Sequence, residues 1–355
     1  MNDWKGSVLH LRLYGESHGA SVGMELRGLP SGFAPSMEAL QAFLNRRRPG
    51  QGAHTTARTE ADIPRFLGGL ENGRTNGQPL RAEIRNTDVR SQDYVNQIPR
   101  PSHADYPAYV KYGAIPTGGG VFSGRMTAPL CIAGGLCLQW LAERGVRIGA
   151  HALQIGTASD RPFDPLAPEL PVAAGKISVL KRAAEEQMLQ QIEQARQDGD
   201  SVGGCVECAV TGLPVGIGAP LFGGLEGRLS LLLFAIPAVK GVRFGADCAS
   251  LHGSEYNDPF YYDTDGAVRT RTNRAGGILG GLSDGMPLLL RAELKPTPSI
   301  ARPQESVSLA PDGGSIRLEL RGRHDPCIVP RAVPCVEAAA ALAITDAILE
   351  SEQWT

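Results

Sequence analysis

Apolar and polar residues recur along the chain with two periods, one typical of helices and one typical of half-buried strands. Met37, Leu40, Phe43 and Leu44 form an apolar stripe at helical spacing, and Ser36 before them is a candidate N-cap. The same spacing predicts further helices over 129–144, 179–196 and 336–349. Alternation with period two predicts strands over 10–13, 24–27, 80–84, 206–210, 288–294 and 316–320. The strands cluster without strictly alternating with helices, which predicts an α+β fold.

Two segments resemble each other in sequence and in predicted structure. They begin with Ser-Val-Gly at Ser21 and Ser201, and they reach a Gly-Leu-Pro-x-Gly turn at 28–32 and 212–216. In both, a strand-like run ends at the turn and an apolar segment follows. We therefore predict an internal pseudo-twofold duplication. Because no Gly/Ser-rich linker divides the chain, we expect a single domain, 1–355, with related halves at approximately 1–150 and 195–355.

Composition restricts the class of protein. The 355 residues are 42% hydrophobic and 20% charged, which indicates a folded chain. A formal net charge of −2 gives no overall attraction to nucleic acid, so no such partner is expected. The longest nearly uncharged stretches, 127–141 and 229–239, are shorter than a membrane span, so no membrane association is expected. The first residues lack the apolar core of a signal peptide, and we expect a cytoplasmic protein.

The cysteines indicate a reducing compartment. There are seven, an odd number without a regular spacing. Cys205 and Cys208 form a lone CxxC within a strand-like segment. Without a second CxxC or a histidine pair, two core thiols are favoured over a metal or redox site, and we predict no metal.

The basic residues are unusually rich in arginine. Lysine supplies six of the 35 basic residues and arginine the other 29. Arginine binds carboxylate and phosphate groups in a bidentate manner, although genome composition would also produce this bias. Arg46, Arg47 and Arg48 end the first predicted helix, where cations oppose the helix dipole. Because three consecutive residues span nearly a full turn, at least one should face the core or a cleft, where it needs an anion.

Other candidate groups lie in loops. Glu16, Ser17 and His18 stand between glycines directly after the first predicted strand. Arg100, His103 and Asp105 precede the glycine turn, residues 118–120, which leads through Ser123 and Arg125 into a helix. A glycine-rich turn before a helix offers backbone N–H groups and a positive helix end to a phosphate. The loop 295–299 is a second candidate, with hydroxyl donors and a cation. Before the last predicted helix, Asp325 offers an acid, His324 an imidazole, and Arg323 and Arg331 two guanidinium groups.

Each of these segments alone could be an ordinary surface loop. Together they predict a site for a polyanionic small molecule with a phosphorylated cofactor. No G-x-G-x-x-G or G-x-x-x-x-G-K-[ST] motif follows a strand, so Rossmann and P-loop nucleotide sites are not favoured.

These motifs resemble the chorismate synthase family, in family order and over essentially the whole chain. The matching blocks are 15–19, 46–51, 91–94, 100–105, 111–113, 238–241, 276–281, 295–297, 323–327 and 331–334. The resemblance implies a β-α-β sandwich built from two related halves, assembled as a homotetramer. It also implies an anti 1,4-elimination of phosphate from 5-enolpyruvylshikimate 3-phosphate, giving chorismate with the help of reduced FMN (FMNH2).

The resemblance further implies a role for each candidate. His18 would protonate the departing phosphate, His103 would balance charge near the reduced flavin, and Asp325 would help to remove the ring proton. The residues implied for the substrate are Ser17, Arg47, Arg48, Ser123, Arg125 and Arg331. Those implied for FMN are Val121, Phe122, Ser123, Pro237, Ala238, Gly280, Lys295, Pro296, Thr297, Pro298, Ser299 and Arg323.

The chain also departs from the family pattern. Where familiar members read Arg-Ser-Ser-Ala-Arg-Glu-Thr, residues 121–127 read Val-Phe-Ser-Gly-Arg-Met-Thr, and Pro237 and Pro298 are further differences. These changes predict altered flavin contacts. The alternative is a degenerate paralogue that only binds flavin or a metabolite, but a binding protein has no need of His18, His103 and Asp325 together. Without a nucleotide fingerprint, we expect an external flavin reductase to supply the reduced FMN.

Overall fold

Two antiparallel sheets of five strands form the outer layers of the fold. The computed structural model describes residues 2–50, 52, 55, 60–88, 97–171, 175–320 and 325–353. The first sheet has the order β1-β2-β3-β7-β4, with β1 Asp3–Lys5, β2 His10–Gly15, β3 Ser21–Arg27, β4 Arg65–Gly68 and β7 Leu80–Arg85. The second has the order β11-β16-β10-β8-β9, with β8 Arg147–Ile155, β9 Ala158–Ser159, β10 Gly204–Thr211, β11 Val239–Phe244 and β16 Leu288–Leu294.

A helical layer packs between the sheets, centred on two long helices. The helices are α1 Met37–Arg47, α2 Asp105–Tyr112, α3 Thr127–Ala142, α4 Arg182–Gln197, α5 Leu225–Phe234, α6 Gly253–Tyr256 and α7 Val329–Glu352. Helix α3 packs on the first sheet, α7 packs on the second, and the two helices pack against each other. A Cβ atom at Gly134 of α3 would lie 2.3 Å from the Cβ of Ala338 in α7, so glycine permits this close approach. This is the β-α-β sandwich predicted for the chain.

Four two-stranded hairpins complete the fold. They are β5 Leu70–Glu71 with β6 Arg74–Thr75, β12 Phe260–Tyr262 with β13 Val268–Thr270, β14 Ile278–Leu279 with β15 Leu282–Ser283, and β17 Gln304–Val307 with β18 Ser315–Leu318.

The two sheets repeat one topology, as the predicted duplication requires. Strands β2, β3, β4 and β7 correspond in chain order and in sheet position to β8, β10, β11 and β16. A short hairpin precedes the last strand of each set, and one helix, α1 or α5, follows the second strand. The strand that corresponds to β2 in the second sheet is β8, Arg147–Ile155.

The predicted helices and strands are all present, and helix α7 is longer than predicted. It begins at Val329 rather than at 336 and takes in Pro330 at its start, where a missing N–H costs no intrahelical bond. Among the described residues, α7 is the one helix long and apolar enough to cross a membrane, and neither of the uncharged stretches 127–141 and 229–239 includes it. Its apolar window is entirely buried, as expected for the central helix of this sandwich.

The CxxC motif lies in β10. Cys208 is fully buried, and Cys205 is half-buried. Residues three apart in a strand point to opposite faces of the sheet, so these two thiols do not face a common ligand. Burial raises the pKa of Cys205 to about 11, so its thiol is protonated at neutral pH.

Candidate active site

A cavity of about 520 Å³ opens where the loop after β2, the glycine turn, the end of β16 and the start of α7 meet. Ligand sites of small molecules commonly have volumes of this order. The cavity gathers most of the predicted site residues. Those that line it are Ser17, Arg47, His103, Val121, Phe122, Ser123, Arg125, Pro237, Ala238, Lys295, Thr297, Pro298, Ser299, Asp325 and Arg331.

Four of the other predicted residues do not line the cavity. His18 packs against Gly118, which does line it. Arg48 is exposed after the end of α1. Gly280 lies at the tip of the β14–β15 hairpin, and Pro296 packs against Gly203. Arg323 and motif residues 51, 91–94 and 324 lie outside the described residues.

The glycine turn separates the two candidate catalytic histidines. Gly118, Gly119 and Gly120 are buried and have φ angles of 62°, 82° and 50°, a region that favours glycine. A Cβ atom at Gly118 would lie 2.3 Å from Nε2 of His18, and one at Gly119 would lie 3.3 Å from Nε2 of His103. The imidazole of His18 can approach the turn this closely because the turn carries no side chain there.

His103 is held by a buried carboxylate. Nδ1 of His103 lies 2.6 Å from Oδ1 of Asp105, which also accepts two hydrogen bonds from the Arg100 guanidinium, at 2.7 and 2.9 Å. Burial opposes ionisation of Asp105, but the hydrogen bonds from Arg100 and His103 hold its pKa well below the ordinary range. The ionised Asp105 favours the tautomer with a proton on Nδ1. The other ring nitrogen, Nε2 of His103, is the atom that faces the glycine turn.

The three arginines at the end of α1 have three different environments. Arg46 donates to both carboxylate oxygens of Glu337 in α7, at 2.6 and 2.9 Å. Arg47 is 1% exposed and turns into the cavity, and Arg48 faces outward. The prediction that at least one of them faces a cleft is confirmed for Arg47.

Arg47 and Arg125 share one buried carboxylate. Nη1 of Arg47 donates to Oδ2 of Asp62 at 2.7 Å, and Nη1 of Arg125 donates to Oδ1 of the same residue. The Nε and Nη2 groups of Arg47 are buried and have no hydrogen-bond partner among the described residues. Buried N–H groups of a cation are costly to leave unpaired, so this side of the cavity is suited to an anionic ligand.

Asp325 lines the cavity and is held by contacts with two other lining residues, Arg331 and Thr297. Arg331, in the first turns of α7, donates to Oδ2 of Asp325 at 2.5 Å and to the carbonyl oxygen of Arg47 at 3.0 Å. The Thr297 hydroxyl donates to the backbone carbonyl of Asp325 at 2.7 Å. Among the described residues, Arg331, six positions further along the chain, is a cation paired with Asp325, and these contacts connect the loop 295–299 to the start of α7.

Charge around the cavity is predominantly positive. The cationic side chains that line it in the described part of the chain are Arg47, Arg100, Arg125, Lys295 and Arg331, and Asp325 is the lining carboxylate. Burial and the neighbouring Lys240 lower the pKa of Lys295. The fold and this cavity together define an α+β enzyme whose substrate is a small molecule with several anionic groups.

Comparison with known proteins agrees with this class. The model of the chorismate synthase family matches residues 9–349. The chorismate synthase of Lancefieldella parvula is 43% identical over 97% of this chain and 95% of its own length, and that of Thermococcus kodakarensis is 43% identical over 99% and 98%. A crystal structure of a chorismate synthase has a TM-score of 0.74 at 23% identity, covering 98% of this chain and 93% of its own. The chain belongs to the chorismate synthase family.

The activity that follows is a phosphate-eliminating lyase reaction. An anti 1,4-elimination removes phosphate from 5-enolpyruvylshikimate 3-phosphate and gives chorismate, the last step of the shikimate pathway. The cofactor is reduced FMN. The cavity fits such a group: the Lys295 ammonium and the Ser299 hydroxyl suit phosphate oxygens, and Phe122 and Pro237 offer apolar walls to a flavin ring.

Some residues of the site were not assigned a role from the sequence. Asp62, which pairs with two cavity arginines, lies outside every matching motif, and nothing local in the sequence indicates a long-range partner. Asn86 accepts from Nε of Arg125 at 2.9 Å and donates to the carbonyl oxygens of Glu16 and Gly19. Asp105 stood within a recognised motif, two residues after His103, so its spacing could have indicated a carboxylate–histidine pair.

Proposed function

We propose that this cavity is the active site of the elimination, with the substrate anions at Arg47 and its neighbours and the cofactor against the loop 295–299. The observation that carries the proposal is that Nε and Nη2 of Arg47 are buried and have no hydrogen-bond partner in the described part of the chain, which points to an anion. Arg125, Arg331 and Ser17 supply further positive charge and a hydroxyl at the same cavity.

His18 is the proposed proton donor to the departing phosphate. Loss of a phosphate is easier when its developing charge is protonated or paired with cations. Asn86 donates to the carbonyl oxygens of Glu16 and Gly19, which fixes the loop that carries Ser17 and His18. Asn86 also accepts a hydrogen bond from Nε of Arg125. One side chain therefore contacts both the loop that carries the proposed acid and an anion-binding group.

His103 and Asp325 are the proposed groups on the flavin side. The reduced flavin, when bound, supplies electron density that stabilises positive charge on the substrate or donates an electron transiently. His103, with Asp105 behind it, balances negative charge at that end of the cavity. Asp325, paired with Arg331, helps to accept the ring proton.

The proposed FMN contacts are those lining residues that lie at the glycine turn, at 237–238 and at 295–299. Val121, Phe122, Pro237 and Pro298 line the cavity, so the departures from the family pattern fall where they affect flavin contacts. Ala238 has a φ of 75°, a strained value for alanine, which supports a functional constraint on this segment. Gly280 and Pro296 have no cavity contact that supports their proposed role.

We also propose a cytoplasmic homotetramer that receives reduced FMN from an external reductase. All seven cysteines are free thiols, which fits a reducing compartment. Leu221 and Phe222, before α5, are 86% and 101% exposed, and Leu231 and Phe234 of α5 are 60% and 52% exposed, which supports self-association. Analytical ultracentrifugation tests the assembly: sedimentation as a monomer at micromolar concentration contradicts it.

The experiment that tests the function is anaerobic phosphate release from 5-enolpyruvylshikimate 3-phosphate, with and without reduced FMN. We expect stoichiometric phosphate and chorismate with reduced FMN and neither product without it. Binding of both ligands without any phosphate release would identify a binding-only paralogue. Oxidised FMN is the matched control, since it occupies the same site without the reduced flavin's electron density.

A further inference from the structure

We propose that Asp62 is a positioning residue of the active site, which sets the orientation of Arg47 and Arg125 toward the substrate. The inference rests on the proposed function of the cavity. Asp62 is 1% exposed and offers one oxygen to each arginine, so a single rigid carboxylate fixes two guanidinium groups relative to each other. Asp62 does not itself line the cavity.

The local charges explain why the pairing of Asp62 with Arg47 and Arg125 serves substrate binding as well as stability. One carboxylate faces two buried cations, and the next carboxylate, Glu60, lies 4.0 Å from Arg125. Glu60 also accepts hydrogen bonds from the backbone N–H and the hydroxyl of Thr87. Asp62 therefore compensates the repulsion between Arg47 and Arg125 only in part, and the positive charge that remains favours an anion.

The two arginines are held to different degrees. Arg125 is fixed on all three nitrogens, since Nε donates to Asn86, Nη1 to Asp62 and Nη2 to the carbonyl oxygen of Arg85 at 3.4 Å. Among the described residues, the guanidinium of Arg47 is fixed through Asp62 alone, and its other two nitrogens are left open. Asp62 is therefore the group that determines where those open N–H groups point.

The backbone at Asp62 makes a clean substitution possible. Its φ is 50°, in the left-handed region, where asparagine and aspartate are the best tolerated residues after glycine. Asp62→Asn keeps the size and the backbone preference and removes only the charge. Its amide can accept a hydrogen bond from one arginine, but its NH₂ group would face the N–H groups of the other.

The test compares Asp62→Asn with Asp160→Asn in the full-length enzyme, assayed anaerobically with reduced FMN. Asp160 is a buried carboxylate that binds His151 at 3.2 Å and lines no part of the cavity. For Asp62→Asn we expect kcat/KM to fall at least about 10²-fold, since small misplacements of binding groups have effects of this size. For Asp160→Asn we expect a lower melting temperature and kcat/KM within about twofold of wild type.

Binding of inorganic phosphate, followed by calorimetry, separates positioning from general affinity. Because Asp62→Asn increases the positive charge of the cavity, we expect the dissociation constant of phosphate to change less than about tenfold while kcat falls much further. A loss of phosphate binding as large as the loss of kcat, wild-type kinetics in Asp62→Asn, or an equal loss in Asp160→Asn would each overturn the proposal.

Asp62→Glu keeps the negative charge, and it tests the positioning role if Asp62→Asn does not fold. The extra methylene must displace at least one guanidinium, so we expect a folded protein with kcat at least about tenfold below wild type. Wild-type kcat in this variant would overturn the positioning role. If wild-type enzyme itself releases no phosphate with reduced FMN, the proposed function fails instead, which is a different result.

Discussion

His18 and His103 contact neighbouring glycines of a single turn, His18 at Gly118 and His103 at Gly119. The turn is buried, and its three positive φ angles leave no room for side chains between the imidazoles. The separation of the proposed proton donor from the proposed flavin-side histidine is therefore set by backbone. This relationship makes the glycine turn itself a determinant of activity.

We expect Gly118→Ala to lower kcat at least about 10²-fold, because its Cβ would lie 2.3 Å from Nε2 of His18 and must displace that ring. Gly113→Ala is the matched control: φ is 80° there too, but no atom lies within 4 Å of the added Cβ. The control should lose about 1–2 kcal/mol of stability to backbone strain and keep its kcat. Equal kinetic effects in both variants would contradict the steric explanation.

His18→Ala and His103→Ala should each lose most of the turnover and keep the fold. Removing a general acid or base typically lowers the rate about 10²- to 10⁴-fold. His252→Ala, at an exposed surface position, serves as the control and should turn over like wild type. Circular dichroism checks the fold and anaerobic phosphate release checks the rate. Wild-type rates in both active-site variants would remove the two histidines from the mechanism.

The pH dependence of stability should reflect Asp105. Because its pKa is lower in the folded than in the unfolded protein, its ionised form contributes stability that is present above about pH 4 and lost as pH falls further. Asp105→Asn should lower the free energy of unfolding at pH 7 by about 3 kcal/mol and flatten its decline in acid. Urea denaturation across pH 2–7 measures both, with the exposed Asp312→Asn as control. Parallel curves for Asp105→Asn and wild type would refute the assignment.

Local patterns in the sequence predicted part of the regular elements correctly, although α5, β8 and β11 were not among the predicted helices and strands. Alternation in β16 and the helical stripe of α1 reflect burial of one face, which depends on near neighbours alone. The same stripe contained a usable signal for the site: Leu40, Leu44 and Arg47 follow at helical spacing, so Arg47 continues the buried face and Arg48 does not.

Long-range partners were not predictable in this way. Asp62 meets Arg125 across 63 positions of chain, and Arg331 meets the backbone of Arg47 across 284. Such contacts depend on how the layers pack, and no periodicity encodes them. The family resemblance supplied most residues of the cavity, but it implied the same role for Arg47 and Arg48, and of these two Arg47 lines the cavity.

Substitution of Arg47 should therefore raise KM for the substrate more than substitution of Arg48. Arg47→Met removes a buried guanidinium from the cavity, and charged hydrogen bonds of this kind contribute about 1.5–3 kcal/mol each, so KM for the substrate should rise at least about tenfold. Arg48→Met, at an exposed position outside the cavity, should have a smaller effect. Steady-state kinetics at two salt concentrations measure both. A larger effect at Arg48 would place the substrate elsewhere.

Asp325→Asn is the sharpest test of the proposed chemistry. Asparagine has nearly the size of aspartate and can keep a hydrogen bond from Arg331, but it cannot take up a proton at neutral pH. We expect near-normal affinity for reduced FMN and substrate, with turnover at least about 10²-fold slower, as for the loss of a general base. Anaerobic single-turnover kinetics, with binding measured separately, distinguishes this from a structural role.

A purely structural Asp325 would behave differently. Its carboxylate would then serve only to hold Arg331 and the start of α7, and the variant would lose about 1 kcal/mol of stability while turning over normally below its melting temperature. Arg331→Gln is the matched variant, because it breaks the same ion pair and leaves the carboxylate in place. If Asp325 accepts the ring proton, Asp325→Asn should lower the single-turnover rate further than Arg331→Gln, whereas Arg331→Gln should mainly weaken substrate binding. Equal single-turnover rates in the two variants would assign the effect to the ion pair and not to proton transfer.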